Sequence, residues 1–232
     1  LLKTPVVGDF RSADVALGGQ GAPLVPIGDE LLFGDYQSCL NLGGFANISF
    51  EHRGRRMAFD ICAVNIVLNE LARRIDLKYD DGGQVARGGA VVLELFDALN
   101  AQSYFSSPPP KSLGREWVES QLMPLINQYK VPTADLLRTF TEHIATQLAA
   151  SIPVGKCLAT GGGVRNRFLM ERVSELSSAV VIAGDDLLVD YKEALIFALL
   201  GILKVEGEIN VLSSVTGATH DHSSGVMVGF TS

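Results

Sequence analysis

Asp60 is the residue of this sequence whose surroundings most suggest chemistry. It follows three short apolar runs, residues 39–42, 45–50 and 57–59, and glycines separate these runs, which predicts a β-meander. After Asp60, apolar residues recur at spacings of three and four, which predicts a helix over residues 65–75. A carboxylate at such a strand-to-helix transition can face a cleft and take part in phosphoryl transfer. The alternative is that Asp60 only caps the following turn or helix, and this segment alone favours the cap.

A second glycine cluster, Gly161-Gly162-Gly163, stands between a predicted strand at residues 157–159 and a predicted helix at residues 166–176. Because glycine has no Cβ, the backbone of this turn can approach a ligand closely, and the helix start directs free N–H groups at it. The cluster matches neither the dinucleotide fingerprint nor the Gly-Lys-Ser/Thr phosphate loop. A tight strand–helix connection and a nucleotide-binding turn therefore both remain open.

The rest of the chain alternates predicted strands and helices. Residues 17–28 are rich in glycine and proline and predict an irregular loop, whereas residues 106–110 predict an extended break. The other predicted elements are helices over residues 90–100 and 114–128, a helix from an N-cap at Thr133 to Pro153, a strand over residues 179–183 and a helix over residues 191–205. This order predicts an α/β fold in which helices cover the strands.

Composition argues against several kinds of partner. The chain has 232 residues, 47% of them hydrophobic, which is enough for a full core. A formal charge of -7 and an acidic sequence pI argue against nucleic acid or an anionic membrane surface as the main partner. The longest apolar run, residues 194–203, is too short to cross a bilayer and predicts a buried helix.

Cysteine and histidine form no cluster with metal-ligand spacing, so the sequence predicts no metal site built from side chains. The three cysteines are odd in number and widely spaced, which predicts reduced thiols in a cytoplasmic protein. His220 and His222 lie in a polar, Ser-rich tail and are predicted to be solvated.

Several motifs, taken together and in order, are similar to those of one kinase family. They are VVGDFRSADVALGGQGAPLVP (6–26), LNLGGFANIS (40–49), FD....N (59–65), DDGG..A..G (80–89), PPPKSLGRE (108–116), TGGGVRN (160–166), KEALIFALL (192–200) and SSVTGA (213–218). In this order they resemble the anhydro-N-acetylmuramic acid kinase family, within the superfamily of sugar kinases, actin and heat-shock chaperones. The motifs cover nearly the whole chain, and the first is long enough to be specific.

Carried over to the matching position, the resemblance makes Asp60 a catalytic base. In that family the acid activates water to attack the anomeric carbon of 1,6-anhydro-N-acetylmuramic acid, and the released 6-oxygen takes the γ-phosphoryl group of ATP. The resemblance thus implies an amino-sugar substrate, with ATP and Mg²⁺ as cofactors. It also implies a homodimer and a cytoplasmic role in cell-wall recycling.

The resemblance also implies binding residues on both sides of a cleft. The substrate-side residues are Glu193, Arg11, Asp14 and Asn65. The nucleotide-side residues are Gly43, Gly44 and Asn47, near the β- and γ-phosphates, and Gly161, Gly162, Gly163 and Asn166, near the nucleoside.

Simpler interpretations compete with three of these assignments. Glu193 could be an acid that the helix dipole favours in a first turn. Arg11 and Asp14 could form a local ion pair. The segment from Lys111 to Glu116 also matches the family, but its residues do not indicate a role. We expect a structural role for it at a domain or dimer surface.

The implied fold is α/β and ribonuclease-H-like, as in actin-like ATPases, with a mixed sheet, antiparallel hairpins from residues 38–60 and flanking helices. The long helix after Thr133 is expected to cross between the sheet and the substrate side. The whole chain, 1–232, would be the C-terminal lobe of a two-lobed kinase. Its expected segments are a connection and substrate-side loop (1–36), a phosphate hairpin with the acid and a helix (37–89), a helical substrate-side segment (90–153) and a nucleotide-side α/β segment (154–232).

The sequence departs from the family pattern in two places, and these departures leave alternative functions open. Residues 61–64 replace a Gly- and Pro-containing loop with residues that favour regular structure, which leaves open a different sugar or a polyphosphate as substrate. No N-terminal phosphate loop is found, and the chain does not begin with Met, so we expect an incomplete portion that is inactive alone. A non-catalytic nucleotide-binding module is the third possibility.

Overall fold

The computed structural model describes residues 4–229, which form two compact units. The first unit contains the described residues up to Asp35, together with Ser49–Ala58 and the residues from Tyr191 onward. The second contains Tyr36–Ile48 and Phe59–Asp190. Each unit therefore combines segments that lie far apart in the sequence.

Seven strands form two sheets in the described residues. The strands are β1 (Val6–Gly8), β2 (Ser38–Leu42), β3 (Phe45–His52), β4 (Arg55–Ala63), β5 (Lys156–Thr160), β6 (Val180–Ala183) and β7 (Val226–Val228). The order in the five-stranded sheet is β4-β3-β2-β5-β6, and β1 pairs with β7 antiparallel in a separate ribbon. Strand β5 runs parallel to both of its neighbours, β2 and β6, whereas turns of two residues join β2 to β3 and β3 to β4. Turns this short require antiparallel neighbours, so the sheet is mixed, as predicted.

Helices connect and cover the strands. They are α1 (Ser12–Ala16), α2 (Pro26–Leu32), α3 (Asn65–Arg73), α4 (Gln84–Gly88), α5 (Leu93–Asn100), α6 (Ser103–Ser106), α7 (Arg115–Trp117), α8 (Met123–Asn127), α9 (Thr133–Ser151), α10 (Arg167–Leu176), α11 (Asp186–Glu206) and α12 (Ser213–Thr216). A π-helical stretch, Val118–Leu122, joins α7 to α8. The predicted helices over residues 65–75, 90–100, 114–128, 133–153 and 166–176 are all present with small shifts at their ends.

Helix α9 forms the centre of the second unit. Its predicted apolar stripe is buried throughout, and α3, α4, α5 and α10 all contact the helix. The buried stripe consists of Leu136, Leu137, Phe140, Ile144 and Leu148. Burial of each side chain of this size stabilises the fold by about 1.5–3 kcal/mol, so the stripe as a whole contributes several kcal/mol. Thr133 is the first helical residue and Pro132 is the N-cap, so Thr133 itself does not have the predicted cap role.

Helix α11 organises the core of the first unit. Its residues Ile196 and Leu200 pack with Phe10, Ile27 and other buried apolar residues. A Cβ atom at Gly28 of α2 would stand 2.5 Å from an Ile196 side-chain carbon, so the two helices approach at a position that only glycine permits.

Three element boundaries differ from the sequence prediction. The predicted loop over residues 17–28 ends early, because Pro26 starts helix α2 at a first-turn position that suits proline. Helix α11 begins at Asp186, five residues before the prediction, because Asp185 accepts a hydrogen bond from the Leu188 N–H and caps the first turn. Strand β4 continues to Ala63, past the predicted end at Asp60, and Ile61 is buried within it.

Candidate active site

Asp60 lies inside β4, three residues before the end of the strand. Its half-buried carboxylate accepts a hydrogen bond from the Leu113 backbone N–H at 2.8 Å on Oδ2. Burial raises the pKa of Asp60 above its ordinary value, and the Leu113 hydrogen bond partly opposes that rise. A half-buried carboxylate with a raised pKa and a single backbone donor has the character of a base that can accept a proton.

The backbone of Asp60 is held from the same side. The Tyr104 hydroxyl donates to the Asp60 carbonyl oxygen at 2.6 Å, and the Asp60 N–H donates to the Lys111 carbonyl oxygen at 3.2 Å. Lys111 and Leu113 thus have a structural role toward Asp60, and a position of the segment from Lys111 to Glu116 at a domain or dimer surface stays a prediction. Both residues contact the candidate base within the second unit.

The Lys111 ammonium is held between polar and aromatic groups. Its Nζ donates to the Tyr104 carbonyl oxygen at 3.1 Å and lies 4.7 Å from the centre of the Tyr104 ring and 5.8 Å from that of Phe59. Partial burial lowers the pKa of Lys111, and the nearby Cys62 opposes this effect. A cation stabilised by ring faces and one carbonyl is thus fixed beside the strand that carries Asp60.

The two glycine turns lie side by side at the carboxyl ends of β2 and β5. These strands are parallel neighbours, and Asn41 is paired with Thr160 in their register. A Cβ atom would stand 2.9 Å from the Leu42 carbonyl oxygen at Gly161 and 2.8 Å from it at Gly163. The lack of side chains at these two positions therefore lets the second turn pack on the end of β2.

Gly162 differs from its two neighbours. A Cβ atom at Gly162 would meet nothing within 4 Å, and the residue is exposed. Packing thus explains the glycines at 161 and 163, whereas Gly162 leaves open space above the turn. Open space beside the backbone of such a turn is where a phosphate or a flat ring could approach.

The first glycine turn is bonded to the start of α3. Gly44 O accepts hydrogen bonds from Val64 N at 2.8 Å and from Ile66 N at 3.3 Å, and Gly43 O accepts one from Asn65 N at 3.3 Å. The Asn65 side-chain nitrogen lies 3.4 Å from the position that a Cβ on Gly163 would occupy. The structure therefore brings Asn65 together with both glycine turns in the second unit.

The other two predicted nucleotide residues have different surroundings. Asn166 is the N-cap of α10, and its side-chain oxygen accepts the Leu169 N–H at 3.0 Å. Asn47 is exposed on β3. Next to Asn166, Arg165 forms an ion pair with Asp190 at 2.8 Å, which ties the end of the second glycine turn to α11.

In the first unit, Asp14 is fully buried among internal partners. It accepts the Gly21 N–H and the Thr216 hydroxyl, each at 2.7 Å, and His222 Nε2 lies 3.6 Å from it. The predicted solvation of His222 is wrong, because this contact with Asp14 buries the ring. Arg11 donates instead to the Gly21 carbonyl oxygen at 2.6 Å, so these contacts hold the loop after α1 rather than an Arg11–Asp14 pair.

Sequence reasoning missed a buried cluster of charges at the start of α11. Lys192 Nζ lies 2.6 Å from Asp29 Oδ1, and the Ser49 hydroxyl donates to the other Asp29 oxygen at 2.5 Å. Arg56 donates to Ser49 Oγ at 2.8 Å, and all four side chains are buried. Glu193, the predicted substrate residue, follows Lys192 directly and is exposed. The sequence did carry one signal for this cluster, the adjacent Lys192 and Glu193 in a predicted helix. A lysine that becomes buried in a helix requires a partner of opposite charge.

Comparison with known proteins identifies the family. The sequence model of the anhydro-N-acetylmuramic acid kinases matches residues 2–229. The chain belongs to the anhydro-N-acetylmuramic acid kinase family. The predicted resemblance is thereby confirmed, and the chain belongs to a family of sugar kinases.

One solved structure supports the fold assignment. Component A of (R)-2-hydroxyglutaryl-CoA dehydratase from Acidaminococcus fermentans matches with a TM-score of 0.50 at 14% identity, over 79% of this chain and 68% of that one. The activator of the 2-hydroxyisocaproyl-CoA dehydratase from Clostridium difficile, solved with bound ADPNP, matches with a TM-score of 0.40 at 16% identity, over 70% of this chain and 58% of that one. The kinase has the ribonuclease-H-like fold of actin-like ATPases, as predicted.

Among residues 4–229, no group of three or more His, Cys, Asp or Glu side chains could hold a metal ion. The glycine turns carry backbone and side-chain amide groups, of which the Gly43 N–H already donates to the Phe45 carbonyl oxygen at 3.1 Å. Amide groups of this kind suit phosphate oxygens. Mg²⁺ commonly binds through substrate phosphates with few protein carboxylates, so this donor set fits Mg²⁺ that arrives with ATP. In the same residues, no helix is long and apolar enough to cross a membrane.

Proposed function

We propose that this protein is an ATP-dependent kinase of 1,6-anhydro-N-acetylmuramic acid, with Asp60 as its catalytic base. The observation that carries the proposal is the half-buried Asp60 carboxylate, held by one N–H donor in the same compact unit as the two glycine turns. Membership in the kinase family supplies the substrate class. We also propose that the protein acts in the cytoplasm, takes part in cell-wall recycling and forms a homodimer.

In the proposed reaction, Asp60 accepts a proton from water while the water oxygen bonds to the anomeric carbon. The bond between that carbon and the 6-oxygen breaks, and the electron pair remains on the 6-oxygen. This oxygen attacks the γ-phosphorus of ATP, and ADP leaves as the β,γ-bridging bond breaks. Asp60 must be ionised to begin, and its raised pKa makes it a stronger base once ionised.

The glycine turns would receive the phosphates. We assign Gly43, Gly44 and Asn47 to the β- and γ-phosphates, and Gly161, Gly162, Gly163 and Asn166 to the nucleoside side. The open space at Gly162 supports this assignment. Bound Mg²⁺ would neutralise charge on the transferring phosphoryl group.

The sugar side would use Glu193, Arg11, Asp14 and Asn65. Exposure of Glu193 and the position of Asn65 beside Gly163 support these two roles. Asp14 would act indirectly, because its carboxylate is occupied by internal donors that shape the loop after α1.

The test is ADP release coupled to a panel of anhydro and ordinary sugars, with matched variants. For the intact protein, we expect turnover only with 1,6-anhydro-N-acetylmuramic acid, loss of turnover in Asp60→Asn, and retained binding of an ATP analogue. Asp97→Asn, at an exposed position on α5, is the control and should keep full activity. Turnover retained in Asp60→Asn would exclude Asp60 as the base.

A related kinase activity on another sugar or a polyphosphate is the second candidate. The observation in its favour is that β4 continues through Ile61, Cys62 and Ala63 as buried strand, which fixes the shape of the segment after the base. The same panel separates the candidates, because ADP release would then follow a different acceptor.

A further inference from the structure

One short segment binds Asp60 through three hydrogen bonds. The Leu113 N–H holds the carboxylate, the Tyr104 hydroxyl holds the carbonyl oxygen, and the Lys111 carbonyl holds the N–H. We call residues 104–113 the clamp. Both polar groups of the Asp60 backbone and one carboxylate oxygen thus have partners from the clamp.

The clamp is closed by its own side chains. Lys111 Nζ donates to the Tyr104 carbonyl oxygen, so the two ends of the segment are tied to each other. The Tyr104 ring also faces the ammonium at 4.7 Å. Releasing either contact would free the strand-facing end of the clamp without touching the carboxylate itself.

Aromatic packing anchors the clamp to the core of the second unit. Tyr104 packs on Trp117, with ring centres 5.4 Å apart, and Phe105 packs on His143 of α9 at 4.8 Å. His143 is fully buried, and burial lowers its pKa to about 3, so the ring is neutral at ordinary pH. Its Nδ1 lies 2.8 Å from Asn100 Oδ1, which fixes the ring. The clamp therefore rests on a rigid support.

We propose that Tyr104 and Lys111 are positioning residues that hold the Asp60 carboxylate in place and set its basicity. This inference rests on the proposed function for its catalytic meaning, since Asp60 is the base only there. Its physical content is independent of any substrate. Loosening the clamp weakens the Leu113 hydrogen bond, which favours the ionised form, while burial continues to oppose that form. For a substitution that leaves Asp60 as buried as before, such as one that removes a single hydroxyl group, the pKa of Asp60 therefore rises when the clamp is loosened.

The first test titrates Asp60 by NMR on the chain labelled at aspartate carboxyl carbons, with Asp60→Asn to assign the signal. We expect Tyr104→Phe and Lys111→Met to raise the pKa of Asp60, and Lys111→Arg to restore it. The controls are Tyr79→Phe and Lys78→Met, because both side chains are exposed. Tyr104→Phe removes one oxygen and no charge, so the fold should survive, and thermal unfolding monitors this directly. An unchanged Asp60 titration in folded Tyr104→Phe would overturn the proposal.

The second test is kinetic and separates the inference from the proposed function. In an active enzyme preparation, Tyr104→Phe should lower kcat by about tenfold, the scale of one hydrogen bond, and leave KM for ATP unchanged. The acid limb of the pH–rate profile should move to higher pH, in the direction of the NMR titration. A purely structural role would lower thermal stability and leave that limb in place, which would contradict the proposal. Failure of the proposed function shows as wild-type protein without activity on any sugar, while the titration still decides the clamp.

Discussion

Gly162 and Gly163 provide a matched pair for testing how the second glycine turn is built. A Cβ added at Gly163 would stand 2.7 Å from the Leu42 Cβ and 2.8 Å from the Leu42 carbonyl oxygen. A Cβ added at Gly162 would meet nothing within 4 Å. The two residues are adjacent and neither lies in the left-handed region, so Gly→Ala differs between them in available space alone.

The magnitude follows from this difference. At Gly163 the obstructing atoms belong to the backbone and Cβ of buried strand β2, which cannot move without disturbing its pairing with β5. Overpacking of this kind costs about 1–3 kcal/mol. For a domain of this size that lowers the Tm by about 2–12 °C. Gly162→Ala should lie within about 0.5 kcal/mol of wild type.

Thermal and urea unfolding of the two variants are the assay, with binding of a non-hydrolysable ATP analogue as a second readout. We expect Gly163→Ala to lose stability and Gly162→Ala to keep it. If the open space at Gly162 admits the nucleotide, its methyl group should weaken analogue binding in a fully folded protein. Equal stability of both variants would refute the packing argument for the turn.

Two other predictions concern buried titratable groups. Lys192→Met should destabilise the protein by about 3–5 kcal/mol, because it leaves the buried Asp29 without its closest cation, whereas the exposed Lys78→Met should be nearly neutral in urea unfolding. His143 has a pKa lowered to about 3 from 6.5, so the unfolded chain takes up its proton first and the stability that this residue contributes is lost as pH falls from 6.5 to 3. His143→Gln should remove that part of the pH dependence of unfolding, and the exposed His52→Gln should not; identical slopes in both variants would contradict burial of a neutral ring.

Local patterns predicted the elements whose signals lie within one segment. The stripe of α9 has the helical period, and every residue of that stripe is buried. The glycine turns were also predicted, because a strand, two or three glycines and another element form a local signature. The α/β class and the mixed sheet followed from these elements and the family resemblance.

Contacts between distant segments could not be predicted in the same way. Tyr104 and Leu113 lie 44 and 53 residues from Asp60, and their hydrogen bonds to it were not predicted, because no local signal in the sequence indicates them. The burial of His222 depends on Asp14, near the other end of the chain, while its own neighbours in sequence are polar. The end of β4 at Ala63 was not predicted, because Asp60 interrupts an otherwise apolar run in the sequence. The sheet accommodates Asp60, and the strand continues past it.

The bonding of the first glycine turn to α3 has a thermodynamic consequence. The carbonyl groups of Gly43 and Gly44 accept the N–H groups of Val64, Asn65 and Ile66, so the turn and the helix start order together. A ligand that orders the turn must then also order the end of the strand that carries Asp60. Coupling of this kind is reciprocal. If the first ligand raises the affinity of a second ligand that stabilises the start of α3, the second raises the affinity of the first by the same factor. Occupancy of the proposed nucleotide site and the order of the strand end that carries Asp60, the proposed base, are thus two measures of a single coupling free energy.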